Sequence, residues 1–103
     1  MAQSGLPDSR ARRGAIPHRG PNPFRGSTQM RCQLAMPGSV VATIYDVCGR
    51  IVSAFDSGPR SSGGVEWAWD GTDRGGRPAG SGVYLLDVEA GGVRHRRQLI
   101  LLR

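Results

Sequence analysis

Apolar and polar residues alternate over two neighbouring stretches in the first half of the chain. In TQMRCQL, residues 28–34, every second residue from Met30 onward is apolar. This is the period-two pattern of a strand with one wet side. VVATIY, residues 40–45, continues the alternation behind Pro37 and Gly38. The two stretches therefore predict a β-hairpin whose turn lies at that proline and glycine.

Four more segments show the alternation of strands. They are IVSAF at 51–55, VEWAW at 65–69, GVYLLDVEA at 82–90 and VRHRRQLILLR at 93–103. The last segment is predicted to place Leu99 and Leu101 inward and His95 on its outer face. A seventh strand forms if residues 22–25 pair. Short antiparallel connections without a helix favour an all-β sandwich of six to seven strands, with a partly open barrel as the alternative.

Turn-forming residues separate these strands. Asp46 can accept a hydrogen bond from the backbone two residues on, and Gly49 can adopt a positive φ, so residues 46–50 predict a tight turn. Residues 70–82 contain five glycines and no apolar period, which predicts a long surface loop. The residues expected to shape that loop are Asp70, Asp73, Gly75 and Gly82.

Both tryptophans lie in one strand, in phase with an apolar residue. Val65, Trp67 and Trp69 share a face, which favours burial of the indoles. Trp69 and Tyr84 are expected to fill the core. If Trp67 and Trp69 were exposed instead, they could form a flat platform for sugars, so a small carbohydrate-binding sandwich is one alternative function.

Positive charge is concentrated at the start of the chain. All 14 basic residues are Arg, the net charge is +6, and residues 1–25 hold five Arg against one Asp. Residues 1–20 mix Arg, Gly, Pro, Ser and Ala without period and predict a disordered tail, while residues 21–103 form the domain. A basic tail without interleaved aromatics gives only weak, salt-sensitive attraction to phosphates. Nucleic acid is therefore not an expected partner.

Candidate chemical sites fail on spacing. Asp70 and Asp73 lack the alternating oxygen ligands and closing Glu of a calcium loop. Ser81 precedes a strand, whereas a nucleophile elbow needs a strand-to-helix turn. His18 lies in the tail and His95 on a strand, so no groups converge on either. The sequence predicts no catalytic, metal or cofactor site, and the chain is not expected to be an enzyme.

The two cysteines and the absence of long apolar runs complete this picture. In the predicted hairpin Cys32 lies opposite about Thr43, roughly 17 Å from Cys48 at ~3.4 Å per residue. Bridged Cα atoms lie within about 7 Å, so two thiols are predicted, one in the core and one in a turn. No stretch reaches the roughly 18 apolar residues of a membrane span, and the first residues lack the apolar run of a signal peptide. Membrane insertion is not expected.

Four landmarks occur in order along residues 21–103. They are PNPF at 21–24, IYDVCGR at 44–50, WDGTDRGGRPAGSGVY at 69–84 and RQLILLR at 97–103. In these landmarks the chain resembles the FlgD-type immunoglobulin-like domain, named after the flagellar hook-capping protein. It is also similar to the related type A C-terminal sorting domain of the type IX secretion system. The resemblance implies an immunoglobulin-like antiparallel β-sandwich.

The resemblance also implies a role. It suggests a non-catalytic C-terminal accessory module of an exported bacterial protein, which acts as a structural cap or as a secretion or surface-attachment signal. The expected partners are then the parent passenger protein and the secretion or surface-assembly machinery, at the cell surface or outside the cell. The alternative is a self-associating scaffold domain, as in hook capping, with weak self-association.

A short basic run near the end of the chain has two interpretations. Arg94, Arg96 and Arg97 flank His95 in the last strand. They could protect an exposed edge strand, where charge discourages unwanted pairing with other chains. The alternative interpretation is a recognition surface for a secretion or anchoring machine.

Overall fold

A computed structural model describes residues 22–103; the predicted disordered tail, residues 1–20, lies outside the described residues. The described part folds into strands joined by turns and loops. The strands are β1 (Phe24–Arg25), β2 (Thr28–Leu34), β3 (Val40–Tyr45), β4 (Ile51–Asp56), β5 (Gly63–Trp69), β6 (Gly82–Ala90) and β7 (Val93–Leu102). Within this part of the chain no helix has the length and apolarity to cross a membrane.

The strands form two sheets of unequal size. The larger has the order β1-β7-β6-β3-β4, and the smaller consists of β2 and β5. Neighbouring strands are antiparallel except for β1 and β7, which pair in parallel through Phe24↔Leu101 and Arg25↔Leu102. Two separate sheets enclosing one core make a sandwich, so the predicted fold class is confirmed and the barrel alternative is not.

The predicted hairpin between β2 and β3 is wrong. β2 pairs with β5, with Cys32 opposite Val65, whereas β3 lies in the other sheet between β4 and β6. Gly38, in the predicted turn, instead exchanges two backbone hydrogen bonds with Arg60. Alternation shows which face of a strand is buried, but it does not show which strand lies beside it. A chain that crosses between sheets therefore has the same pattern as a hairpin.

Both cysteines are free thiols, as predicted, although the hairpin from which their separation was calculated does not exist. Neither forms a disulfide; Cys32 is buried and Cys48 is exposed. Burial raises the pKa of the Cys32 thiol above its ordinary value. Cys32 is thus a small core residue of the β2–β5 sheet, and Cys48 lies in the turn between β3 and β4.

The core fills the space between the two inner faces. It contains Phe24, Met30, Cys32, Leu34, Val40, Ala42, Ile44, Val52, Val65, Trp69, Ala79, Tyr84, Leu86, Val88, Ala90, Leu99 and Leu101. Most of these residues recur at every second position of their strands, which is how a half-buried sheet separates apolar from polar side chains. The predicted inward faces of β2, β3, β5 and β6 are confirmed by this burial.

His95 lies on the inner face of β7, and its predicted outward position is wrong. It pairs with the buried Val88 and has the same parity as Leu99 and Leu101. Its pKa is lowered, mainly by burial and then by the charge of Arg97. The imidazole Nε2 is buried without a hydrogen-bond partner in the described residues. Counting by two from Leu99, which is buried, gives the correct face for His95.

Candidate interaction surface

Arg94 and Arg96 lie on the outer face of the larger sheet. They pair across the β6–β7 ladder with Glu89 and Asp87, which alternate with the buried side chains of β6. The two arginine side chains are 56% and 69% exposed. Both guanidinium groups therefore remain accessible to a partner.

The charged side chains on this outer face form ion pairs whose N–O distances are long. Asp87 Oδ1 lies 3.5 Å from Arg94 Nε, and Asp87 Oδ2 lies 3.8 Å from Arg96 Nε. Glu89 Oε1 lies 3.6 Å from Arg94 Nη2. Asp87 Oδ1 is buried and has no hydrogen-bond partner in the described residues. These distances exceed those of good charge-assisted hydrogen bonds, so most guanidinium donors remain available to another group.

An apolar area adjoins the charged part of the same face. Leu85 is 44% exposed and pairs with Tyr45 of β3. Both line a cavity of about 310 Å³ together with Asp87, Arg94 and Arg96. Hereafter the outer patch means Leu85, Asp87, Arg94 and Arg96. It offers an apolar contact beside guanidinium donors, a combination suited to a protein partner with carboxylate and apolar side chains.

Arg97 does not belong to the outer patch. Successive side chains of a strand point to opposite faces, so Arg97 shares the inner side of β7 with His95. It pairs with Leu86 and is itself exposed. The three arginines of the basic run are therefore divided between two faces of the sheet.

Asp46 organises the turn between β3 and β4. Its Oδ1 accepts hydrogen bonds from the backbone N–H groups of Cys48 and Arg50, at 2.9 and 3.0 Å. Its Oδ2 accepts a third from Arg50 Nε at 3.0 Å. Gly49 completes the turn with a φ of +88°, a conformation that costs a residue with a side chain about 1–2 kcal/mol. These bonds, first that from the Arg50 backbone, lower the pKa of Asp46.

Asp46→Asn is expected to reduce the acid sensitivity of the domain. Because the pKa of Asp46 is lower in the folded state than the ordinary 3.8, its carboxylate stabilises the fold above that value. This contribution disappears as the pH falls through the folded pKa. Unfolding midpoints measured from pH 6 to about pH 2 should therefore fall less steeply in the variant than in the wild type.

The control for this prediction is Asp56→Asn, which removes a carboxylate from the end of β4, where it accepts one hydrogen bond from Gly58. That variant should keep most of the acid sensitivity of the wild type. Equal slopes for the wild type and Asp46→Asn would contradict the role given to the Asp46 carboxylate.

Two aspartates hold the loop between β5 and β6. Asp70 Oδ1 accepts bonds from the hydroxyl and the N–H of Thr72, at 2.6 and 3.1 Å. These two bonds, the hydroxyl first, lower the pKa of Asp70. Asp73 Oδ1 accepts bonds from the N–H groups of Gly75 and Arg77, both at 2.9 Å. The loop after β5 is thus fixed by its own side chains.

Of the two glycines that were expected to shape this loop, one lies in the loop and the other begins the next strand. Gly75 is a donor to Asp73 and is exposed. Gly82 is the first residue of β6 and pairs with Leu101. The side chains of Asp70 and Asp73 engage loop backbone, and no group of three or more His, Cys, Asp or Glu residues in the described part of the chain could hold a metal ion.

Arg103 holds this loop against the end of β7, a contact that sequence reasoning missed. Its Nε donates to the carbonyl of Ala79 at 2.8 Å, its Nη2 donates to the carbonyl of Gly71, and its backbone N–H donates to Ser81 Oγ at 2.8 Å. The arginine at the end of the RQLILLR landmark was the available signal. Its partners lie more than twenty residues away, so local pattern could not identify them.

Trp69 is the centre of an aromatic cluster in the core. It is 2% exposed and makes edge contacts with Phe24 and Tyr84, at centroid separations of 5.8 and 5.1 Å. Its Nε1–H donates to the Thr72 carbonyl, and the Tyr84 hydroxyl donates to the Gly80 carbonyl. The cluster therefore joins both sheets to the loop.

Trp67 is half-buried and stacks on Phe55, with centroids 5.2 Å apart and ring planes at 6°. A sugar platform formed by both tryptophans is wrong, because Trp69 has almost no accessible surface and Trp67 has one face covered by Phe55.

Comparison with known proteins gives the family. The model of the FlgD Ig-like domain matches residues 21–92. The crystal structure of FlgD from Xanthomonas campestris, described as giving insight into the hook capping essential for flagellar assembly, is similar at 26% identity and a TM-score of 0.56. That match covers 73% of this chain and 55% of FlgD. No curated protein matches the sequence.

Two proteins from Porphyromonas gingivalis also contain the fold. Dimeric latent PorU is similar at 28% identity and a TM-score of 0.63, over 84% of this chain and 9% of PorU. PorZ, described as an essential bacterial surface component of the type IX secretion system, has 23% identity and a TM-score of 0.56. That match covers 86% of this chain and 12% of PorZ. The chain thus spans between 9% and 55% of the length of these three proteins. Because the family model matches more than half of its residues, the chain belongs to the FlgD Ig-like domain family.

Proposed function

We propose that residues 21–103 form a non-catalytic C-terminal accessory module of an exported bacterial protein, which caps that protein or directs its secretion or surface attachment. Its partners are the passenger protein and the secretion or surface-assembly machinery. Its place of action is the cell surface or the extracellular space.

The main support for this proposal is the small share of each longer protein that the structural match covers. Nearly the whole described domain matches PorU and PorZ, yet it corresponds to only 9% and 12% of their lengths. A fold that recurs as a small part of much longer proteins is suited to an appended role. PorZ is described as a bacterial surface component of a secretion system, and this supports a location outside the cytoplasm for the present module.

The outer patch supports a protein partner. The Arg94 and Arg96 side chains are both more than half exposed, and Leu85 lies on the same face. Paired charges at a rim with an apolar contact in their midst are typical of transient protein interfaces. The machinery that recognises the module would bind here.

A localisation assay tests the proposal. The whole chain is fused to the C-terminus of an exported reporter in a bacterium that has a type IX system, and the surface-exposed fraction of the reporter is measured. The proposal predicts surface delivery that the reporter alone does not show. Retention of the fusion in the periplasm would contradict a sorting role.

The outer patch is tested in the same fusion. Arg96→Ala should reduce delivery, because Arg96 lies on the proposed binding face opposite Asp87. Arg97→Ala is the matched control, since it removes one arginine from the same strand but from the opposite face. An equal loss in both variants would show that positive charge alone, rather than the outer patch, is recognised.

A self-associating scaffold is the second candidate, as in hook capping. The observation that favours it is an unprotected strand at one edge of the larger sheet.

A further inference from the structure

The inner side of β7 carries one imidazole among apolar side chains. His95 pairs with the buried Val88 of β6 and has the same parity as Leu99 and Leu101. Its side chain is half-buried, and its Nε2 is buried without a hydrogen-bond partner in the described residues. Buried polar atoms nearly always have a partner in native proteins, so this nitrogen needs an explanation.

The buried Nε2 determines which protonation state of His95 suits the fold. A neutral imidazole has one N–H donor and one acceptor nitrogen, whereas an imidazolium has an N–H on both nitrogens. In the neutral ring the proton can lie on Nδ1, which leaves Nε2 as a bare acceptor. In the charged ring Nε2 carries an N–H that has no acceptor, together with part of a buried positive charge. The folded domain therefore accommodates the neutral imidazole better than the imidazolium.

The elements packed against β7 present no charge to its inner side. Their inward residues are Phe24 in β1, Thr28, Met30, Cys32 and Leu34 in β2, Val65, Trp67 and Trp69 in β5, and Tyr84, Leu86, Val88 and Ala90 in β6. Two of these side chains titrate. Burial raises the pKa of the Cys32 thiol, and the Tyr84 hydroxyl donates to the Gly80 carbonyl, so both are neutral where a histidine titrates. No carboxylate among these inward residues would offset a charge on His95.

The one charge that shares this side of β7 is a cation. Arg97 lies two residues along the same face, is exposed, and pairs across the ladder with the apolar Leu86. The arginines of the outer face, by contrast, have carboxylates beside them. A proton on His95 would place a second positive charge near that of Arg97. Burial first, and then the charge of Arg97, lower the pKa of His95.

The half of β7 that contains His95 has fewer attachments than the other half. Asn22 hydrogen-bonds to the backbone of Gln98 and Ile100, and β1 pairs with the residues that follow. Residues 93–97 pair only with β6 within the described part of the chain. A local change at His95 therefore meets less resistance there than it would nearer the end of the strand.

We propose that His95 is an acid-sensitive switch in the fold, whose protonation loosens residues 93–97 of β7 from the core. The same residues carry Arg94 and Arg96 on their outer face, so the switch acts on the strand that holds the outer patch. The proposal concerns the purified domain and does not rest on the export role.

The sign of the pH dependence follows from the two states of the chain. The unfolded chain takes up the proton near the ordinary histidine pKa of 6.5, and the folded domain takes it up only at lower pH. Between these values the unfolded state binds more protons, so the stability of the domain falls as the pH falls. The contribution of Asp46 is lost around and below 3.8, so measurements above about pH 5 report mainly on His95.

Thermal unfolding midpoints from about pH 8 to about pH 5 test the switch. His18 and His95 are the two histidines of the sequence, so His18→Gln is the matched control. The midpoints of the wild type and of His18→Gln should fall toward the acid end. His95→Gln keeps a polar side chain that cannot take up a charge, and its midpoint should fall clearly less. Each variant is compared with itself across pH, so a general cost of the substitution does not affect the result.

NMR of the wild-type chain gives a measurement that needs no variant. The His95 ring should titrate below 6.5, and Arg97→Gln should move its pKa partly back toward that value. At about pH 5 the amides of residues 93–97 that bond to β6 should lose more protection from hydrogen exchange than those of residues 98–102.

Three results would overturn the proposal. The first is an equal pH dependence of the midpoint in the wild type and His95→Gln. The second is a His95 ring that titrates at or above 6.5 in the folded domain. The third is an equal loss of protection along the whole of β7, which would show that acid does not act locally at residues 93–97.

Discussion

Trp69→Ala is expected to lower the free energy of unfolding by about 3–5 kcal/mol, the usual cost of truncating a large buried aromatic residue. Trp69 is 2% exposed, contacts Phe24 and Tyr84, and donates a hydrogen bond to Thr72. The variant leaves a cavity at the point where the sheets and the loop meet. Small domains have a total stability of about 5–15 kcal/mol, so much of the folded population should be lost on moderate heating.

Trp67→Ala is the control for this change, because it removes the same side chain two residues earlier on the same face. Trp67 is only half-buried, with Phe55 as its stacking partner, so a clearly smaller loss is expected. Urea unfolding monitored by circular dichroism compares both variants with the wild type. Similar losses at the two positions would contradict the assignment of Trp69 as the central core aromatic.

Gly71→Ala is expected to cost about 2–5 kcal/mol, from backbone strain and from overpacking together. Gly71 has a φ of +78°. A Cβ at this position would lie 2.6 Å from the Gly26 carbonyl oxygen and 2.9 Å from Arg103 Nη2. Since the Gly26 oxygen belongs to the backbone, the loop itself would have to move, and the Arg103 contacts would be disturbed.

Gly76→Ala separates strain from the clash. Gly76 has a similar φ of +84°, but a Cβ there would meet no atom within 4 Å. It should therefore cost only the strain, about 1–2 kcal/mol. Thermal unfolding of both variants gives the comparison. A loss at Gly71 no larger than that at Gly76 would contradict the close approach of loop and backbone.

The buried faces of the strands could be predicted from sequence because they depend on local alternation. Met30, Leu86 and Leu99 are all on the faces that the pattern predicts. The tight turn at residues 46–50 was also expected locally, since Asp46 reaches only as far as Arg50. In each case the physical cause lies within a few residues of its effect.

Strand partners could not be predicted in this way. β2 and β3 are close in sequence, yet they lie in different sheets, and β1 pairs with β7 across most of the domain. Strand pairing is decided by how whole sheets fit against each other. The alternation of apolar and polar residues within one strand contains no information about that fit. The hydrogen bonds from Arg103 to the loop between β5 and β6 also depend on the arrangement of the whole domain. They could not be predicted from local sequence for the same reason.

The candidate surface was only partly visible in the sequence. The run from Arg94 to Arg97 suggested one basic patch, but strand geometry sends Arg97 to the other side, and Asp87 and Glu89 balance the remaining charge. The open edge at β4 was not expected, because edge position is a property of topology rather than of residues 51–56.

Reporter delivery by the intact module and by a destabilised variant tests the central claim most directly. Three fusions are compared for their surface-exposed fraction: the intact chain, the chain with Trp69→Ala, and the reporter alone. The account predicts delivery by the intact chain and a large loss in Trp69→Ala, because the partner recognises the folded sandwich. Delivery that Trp69→Ala leaves unchanged, or an intact chain that delivers no more than the reporter alone, would contradict it.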